Sequence, residues 1–262
     1  MVGVRWRNGA AVLALMLSWP AAAEAPRRAV EVDWTVDGAV TGGALVLWLG
    51  SEAIKGELAP ASCRWCATNG LDTRVRDALA WSRPEQAKKV SDVLVIGVPA
   101  GVALYDGLAV GGARAALPDL LIIGEAVAVS GALAQGFKLV TARSRPYAVY
   151  GTLPSQGVDD HLSFYSAHTT VAFSAVAAGG MLAQLRGDPS WPWVYGVGFG
   201  AAAATGYFRL AADKHWFTDV VMGAATGTAV GLAVPWLHRN RSGPPPIALA
   251  VAPGYLGVTG TF

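Results

Sequence analysis

From residue 90 to residue 238 the chain is a series of long apolar segments separated by short polar loops: Val90 to Gly111, Pro118 to Arg143, His168 to Leu185, Trp193 to Leu210 and Phe217 to His238. As a helix, each is long enough to cross, or nearly cross, the roughly 30 Å apolar layer of a bilayer. Helices of this kind turn their apolar sides toward one another or toward lipid. The expected fold is therefore all-α, a helical bundle embedded in a membrane and built from five or six apolar helices. The sixth candidate, Gly38 to Lys55, carries several glycines and a shorter apolar centre. It can span, lie along the interface or pack as an ordinary buried helix. Small residues crowd the segments, as in AVAAGG, GFGAAAATG and MGAATGTAVG, and let helix backbones approach closely. With 53% hydrophobic and 15% charged residues, little polar surface is left for a soluble body. Asp106 and Glu125 interrupt two segments and should face the bundle interior; they keep a soluble, exported helical domain open as the alternative.

Outside this core, residues 90–241, three regions stand apart. Residues 1–25 read as a secretory signal: Arg5 and Arg7, an apolar run from Ala10 to Trp19, then small residues ending at Ala23 or Ala25. Residues 26–89 hold Cys63 and Cys66, followed by a polar helical connection. A structural disulfide in an oxidising compartment is the favoured state of this C-x-x-C, ahead of two free thiols or a redox pair, since no second Cys pair or nearby His completes a metal shell. Residues 242–262 are Pro-rich and then weakly strand-like. A net charge of +2 with scattered basic residues excludes a nucleic-acid partner.

Sidedness raises a conflict. If the signal is removed, five crossings from Val90 place the loops after Lys138 and before His215 outside, with Arg114, Arg186 and the cluster His238, Arg239 and Arg241 inside. A spanning Gly38 to Lys55 would reverse this, so that segment is read as non-spanning or the signal as retained.

Three polar stretches fall at the same end of the expected helices. In KLVTARSRP, Lys138 and Arg145 are about two helical turns apart, which would place both on one face, and Pro146 ends the helix. In FYSAHTTVAF, Ser166 and His168 precede an apolar helix, where a hydroxyl, free amides and the helix dipole favour an anion. In RLAADKHWFTD, His215 and Asp219 are four apart, so that the carboxylate would accept the proton of one ring nitrogen and orient the other; Arg209 adds a bidentate donor suited to phosphate. Three cations, a hydroxyl and two histidines suit phosphoryl transfer, which rests on positioning and charge. No carboxylate cluster offers a magnesium or calcium cage, so no metal and no cofactor is expected.

The order and spacing K-x6-R-P (Lys138 to Pro146), S-x-H (Ser166 to His168) and R-x5-H-x3-D (Arg209 to Asp219) resemble the three motifs of the type 2 phosphatidic acid phosphatase (PAP2) family. That superfamily also includes bacterial acid phosphatases and vanadium haloperoxidases. The resemblance implies that Lys138, Arg145, Arg209, the Ser166 hydroxyl and the Ala167 amide bind phosphate. It implies that His215 attacks phosphorus to give a phosphohistidine while Asp219 orients it, and that His168 protonates the leaving oxygen. Its substrate would be a lipid phosphate or diphosphate, hydrolysed at the periplasmic face of a bacterial inner membrane. A soluble periplasmic acid phosphatase and a non-enzymatic membrane scaffold or transporter are the other readings. Three positions depart from the family pattern: Tyr165, Ala167 where glycine is usual, and Phe208 where serine is usual. The sequence sets no oligomeric state.

Overall fold

The structure, a computed structural model, describes residues 29–240, 248–252 and 255–259. The proposed signal at residues 1–25, the Pro-rich residues 242–247 and Phe262 lie outside them. Nine helices follow in chain order: α1 (Trp34–Leu45, carried on by a π turn at Val46–Gly50 and by Ser51–Ala53), α2 (Lys55–Leu58), α3 (Gly70–Leu79), α4 (Pro84–Tyr105, extended by a π turn at Asp106–Val110), α5 (Gly112–Thr141), α6 (Pro146–Tyr150), α7 (Ala167–Leu185), α8 (Trp191–Ala211) and α9 (Phe217–His238). A short antiparallel hairpin, Ala248–Ala252 with Tyr255–Thr259, follows in the tail read as weakly strand-like. Helix α4 starts at Pro84 rather than Val90, because proline suits a first helical turn and the polar run EQAKKVSD continues straight into the apolar one.

Helix α7 is the axis of the bundle and packs against α4, α5, α8 and α9. It can do so because more than half of its residues are Ala, Gly, Ser or Thr, and these are buried. The closest approach is to α9. A Cβ at Gly227 or Gly231 would run into the carbonyl oxygen of Thr170 or Ser174, and one at Gly223 would lie 2.8 Å from that of Ser166. The two backbones therefore touch directly.

The helices run alternately along one axis. Lys55, after α1, pairs with Asp159 at 2.8 Å, beside the loops that precede α7. At the other end Val30 bridges to Arg239 and the Glu31 N–H donates to the His238 carbonyl at 2.8 Å, so the chain ahead of α1 meets the chain after α9. From Asp37 to Lys55 the chain climbs about 27 Å at the helical rise, so α1 runs the depth of the bundle beside α5.

The outside of the bundle is apolar. Val46, Leu47, Val93, Ile96, Leu108, Trp193 and Val197 are each about 70% exposed, far more greasy surface than a soluble monomer presents. Among the described residues three helical stretches, Pro84–Val110, Ala115–Thr141 and Phe217–His238, are long and apolar enough to cross a membrane.

Cys63 and Cys66 are joined by a disulfide in the loop between α2 and α3. That loop lies over the end of α5: the Arg64 N–H donates to the Ala142 carbonyl at 3.0 Å and Trp65 bridges to Arg143. Alkylation of the unfolded protein without reductant should add no mass, and with reductant two adducts; labelling without reductant would show the thiols to be free.

Candidate active site

Polar side chains from α4, the α5–α6 turn, α7, α8 and the α8–α9 loop meet at one end of the bundle. Helix α5 ends at Thr141, and Ala142 closes it in the left-handed region (φ 42°). Arg145 is therefore not on the helix that carries Lys138, and the two are not joined by helical periodicity as their spacing suggested. The turn redirects Arg145 into the bundle. Its Nε donates to the Asp159 carbonyl at 2.7 Å, its Nη1 donates to the Lys214 carbonyl at 3.1 Å, and Nη1 lies 3.5 Å from His215 Nε2. Lys138, half-buried in the last turn of α5, faces the same space.

His215 also differs from its sequence reading. It lies in the loop before α9, which starts at Phe217, so the i, i+4 geometry of a helix does not apply to it. Its Nδ1 is 2.8 Å from the Ser163 carbonyl and 3.6 Å from Asp219 Oδ2. The backbone carbonyl, not the carboxylate, accepts the hydrogen bond of the Nδ1–H and leaves the Nε2 lone pair facing Arg145. Asp219 works one step away: it accepts from the Trp216 N–H (2.9 Å), the Ser163 hydroxyl (2.5 Å) and Arg143 Nη1 (2.5 Å). It thereby caps α9 and holds the segment whose carbonyl holds the imidazole.

Burial, reinforced by the nearby Arg145, Arg209, Lys138 and His168, holds the His215 imidazole well below its ordinary pKa, so it is neutral at pH 7. An unfolded chain protonates this imidazole near pH 6.5, whereas the native one resists, so this contribution to stability is complete above about pH 6.5 and erodes as pH falls. The thermal midpoint should fall between pH 7 and pH 5.5, by the equivalent of up to about 1.4 kcal/mol per pH unit for this group. It should fall less in His215→Gln; equal slopes would exclude the effect.

On the facing side Ser166 caps α7. Its hydroxyl accepts from Thr169 Oγ1 at 3.0 Å, which leaves its own proton to donate. Ala167 opens the helix without a positive φ, so the alanine that replaces the family's glycine is unstrained. His168 Nε2 is 3.0 Å from Asp92 Oδ1. Arg209, in the last turn of α8, lies 3.2 Å from Ser91 Oγ and 3.5 Å from Asp92, and its Nε has no hydrogen-bond partner. Phe208 points away from the pocket, stacking edge-on with Trp81 and packing on Ala87, Ala211 and Ala212. Tyr165 is fully buried against Phe137.

Several members of the site escaped the sequence reading. Lys214, next to His215, is a further cation: its buried Nζ has no hydrogen-bond partner, lies 4.3 Å from the Tyr147 ring centre, and is pushed down to about 8 by burial and by Arg145 and Arg209. Asp92 sat at the polar start of the segment read as apolar from Val90. Asp72 and Arg143 are fully buried and form a chain: Asp72 Oδ2 accepts from Arg143 Nη2 at 2.6 Å, and Arg143 Nη1 donates to Asp219. Arg76 of α3 grips Asp213 through Nε and Nη2, at 2.8 and 2.9 Å. Helix α3 is thus clamped to the histidine loop.

A family model described as the PAP2 superfamily matches residues 119–242, which take in every residue of the three motifs. The match covers just under half of the chain, and over that stretch the chain is similar to the PAP2 superfamily. The chain is similar to the lipid A 1-phosphatase of Porphyromonas gingivalis, 35% identical over 75 residues, 29% of this chain. The matched stretch spans only 16% of that protein. No solved structure is a significant match.

Proposed function

We propose that the chain is a membrane phosphatase that hydrolyses a lipid phosphate or diphosphate through a phosphohistidine. The observation that carries this is the neutral His215, its Nδ1–H donating to the Ser163 carbonyl and its Nε2 open to a nest of cations. Lys138, Arg145 and Arg209, with the Ser166 hydroxyl and the Ala167 amide, would hold the phosphoryl oxygens. Nε2 attacks phosphorus, the bond to the leaving oxygen breaks, and His168 supplies its proton. Water, deprotonated by His168, then cleaves the phosphorus–nitrogen bond, releasing phosphate and regenerating His215. Asp92 would hold His168 for both transfers.

The lipid character of the substrate is supported by the PAP2 match, the lipid A 1-phosphatase relative and an apolar groove between α1 and α5. The groove, about 910 Å³, is lined by Leu47, Val129, Leu133, Phe137 and Val140 and runs along α5 to the turn that carries Lys138. It suits acyl or prenyl chains. Phosphatidic acid, phosphatidylglycerol phosphate, isoprenyl diphosphates and lipid A all meet these terms. The disulfide lies at the phosphate end, so that end belongs in an oxidising compartment, the periplasmic face of a bacterial inner membrane.

The test is phosphate release from lipid and soluble phosphate esters, with detergent-purified protein in chelator. Release from one or more lipid phosphates at rates well above those for soluble esters is expected; release from soluble esters alone, or from none, would overturn the reading. The chain should also resist alkaline carbonate extraction and need detergent for release.

A further inference from the structure

At the end of the bundle remote from the phosphate pocket, Asp37 of α1, Glu125 of α5 and His238 of α9 bring a carboxylate, a second carboxylate and an imidazole within 4.8 Å of one another. We propose that these three side chains bind a zinc ion, which ties α1 and α5 to the C-terminal end of α9. Nothing in the sequence announces the group, because its members come from three helices far apart in the chain.

The spacing fits a shared ion. His238 Nε2 lies 3.2 Å from Asp37 Oδ1 and 3.5 Å from Glu125 Oε2. Two ligand atoms of one tetrahedral zinc, each about 2.0–2.1 Å from the metal, lie roughly 3.3 Å apart. The imidazole is set for coordination: Nδ1 donates to the Val234 carbonyl at 2.8 Å, which leaves the Nε2 lone pair turned to the carboxylates. Asp37 is oriented as well. Its Oδ2 accepts the Asp33 N–H at 2.8 Å, which leaves Oδ1 for the ion.

Glu125 supplies the independent observation. It is 8% exposed, and its Oε2, aimed into the cluster, accepts no hydrogen bond. A buried carboxylate oxygen in that position has the His238 imidazole 3.5 Å away but no hydrogen bond to satisfy it. A neutral imidazole with two carboxylates carries two negative charges, which a divalent cation cancels; an imidazolium would leave one uncancelled. Imidazole and carboxylate together suit zinc better than calcium or magnesium, and the fourth position is left to water.

Zinc titration of chelator-stripped, detergent-purified protein tests this, followed by metal analysis after dialysis. One equivalent per chain is expected, with a higher thermal midpoint. Glu125→Gln, close in shape, and Asp37→Asn should each lower zinc affinity by 100-fold or more while keeping helix content, and the second variant decides the matter if the first fails to fold. Phosphate release by the stripped protein should stay at the loaded rate below its thermal transition, since the cluster is about 30 Å from the pocket along α9. Three results would overturn the proposal: no retained zinc in the parent protein, equal binding by both variants, or zinc lost only on replacing His168 and His215. The first means that Asp37, Glu125 and His238 form an ionic contact alone, and the last that the ion sits in the phosphate pocket.

Discussion

His215→Ala is expected to lower phosphate release by at least about 10⁴-fold with helix content unchanged, the scale on which removing a nucleophile acts. The imidazole holds little of the fold together. Its hydrogen bond is to the Ser163 carbonyl, whose loss costs on the order of 1 kcal/mol. The chemistry, in contrast, has no substitute, because the other imidazole of the pocket, His168, is turned toward Asp92 and the leaving-group side. His168→Ala should cost less, about 10²–10⁴-fold, the range of a lost general acid. It should cost least for substrates whose leaving group is already a good one, such as a diphosphate. Single-turnover phosphate release, with circular dichroism as the control for folding, measures both. Turnover by His215→Ala at the parent rate would remove the phosphohistidine from the mechanism.

Arg143→Met is expected to be the most damaging substitution outside the pocket, costing roughly 3–5 kcal/mol, the penalty for stripping the counter-charge from a buried ionic network. Arg143 is buried between two buried carboxylates, 2.6 Å from Asp72 and 2.5 Å from Asp219, with its guanidinium 4.1 Å from the Trp65 ring centre. Methionine fills much of the volume but leaves Asp72 and Asp219 facing each other uncompensated. Asp219 is also the cap of α9 and the anchor of Ser163, so the displacement would reach the carbonyl that sets the His215 tautomer. The double variant Arg143→Met with Asp72→Asn should recover part of the thermal midpoint, as removing both charges relieves the desolvation. A midpoint within about 1 kcal/mol of the parent in the single variant would show the network to be dispensable.

The sequence carried the helices well, because a run of twenty apolar residues has few alternatives. The extents of α7, α8 and α9 match their apolar segments to within two residues at each end. The phosphate-binding side chains were legible by order and spacing, but the reasons they converge were not. Helical periodicity was invoked for Lys138 with Arg145 and for His215 with Asp219. In both pairs one member lies off the helix, and a turn or a backbone carbonyl supplies the geometry instead. Asp72, Asp92 and Arg143 were passed over because each partners residues more than seventy positions away, and local pattern holds no trace of such pairs. Lys214 was visible beside His215, yet nothing local told a buried cation from a solvated one.

The contact of α7 with α9 through bare backbone bears on how this pocket could be tuned. Ser166 and His168 open one helix, and Trp216 and Asp219 open the other. The thickness of two peptide chains therefore meters the gap between the two histidines, and Gly223, Gly227 and Gly231 leave it no slack. The opposite wall is different. There α4 and α8, which bring Asp92 and Arg209, meet α7 through exchangeable side chains such as Val98, Val176 and Phe173. A wider or narrower berth for a head group has to come from that wall, with the glycine seam acting as its fixed jaw.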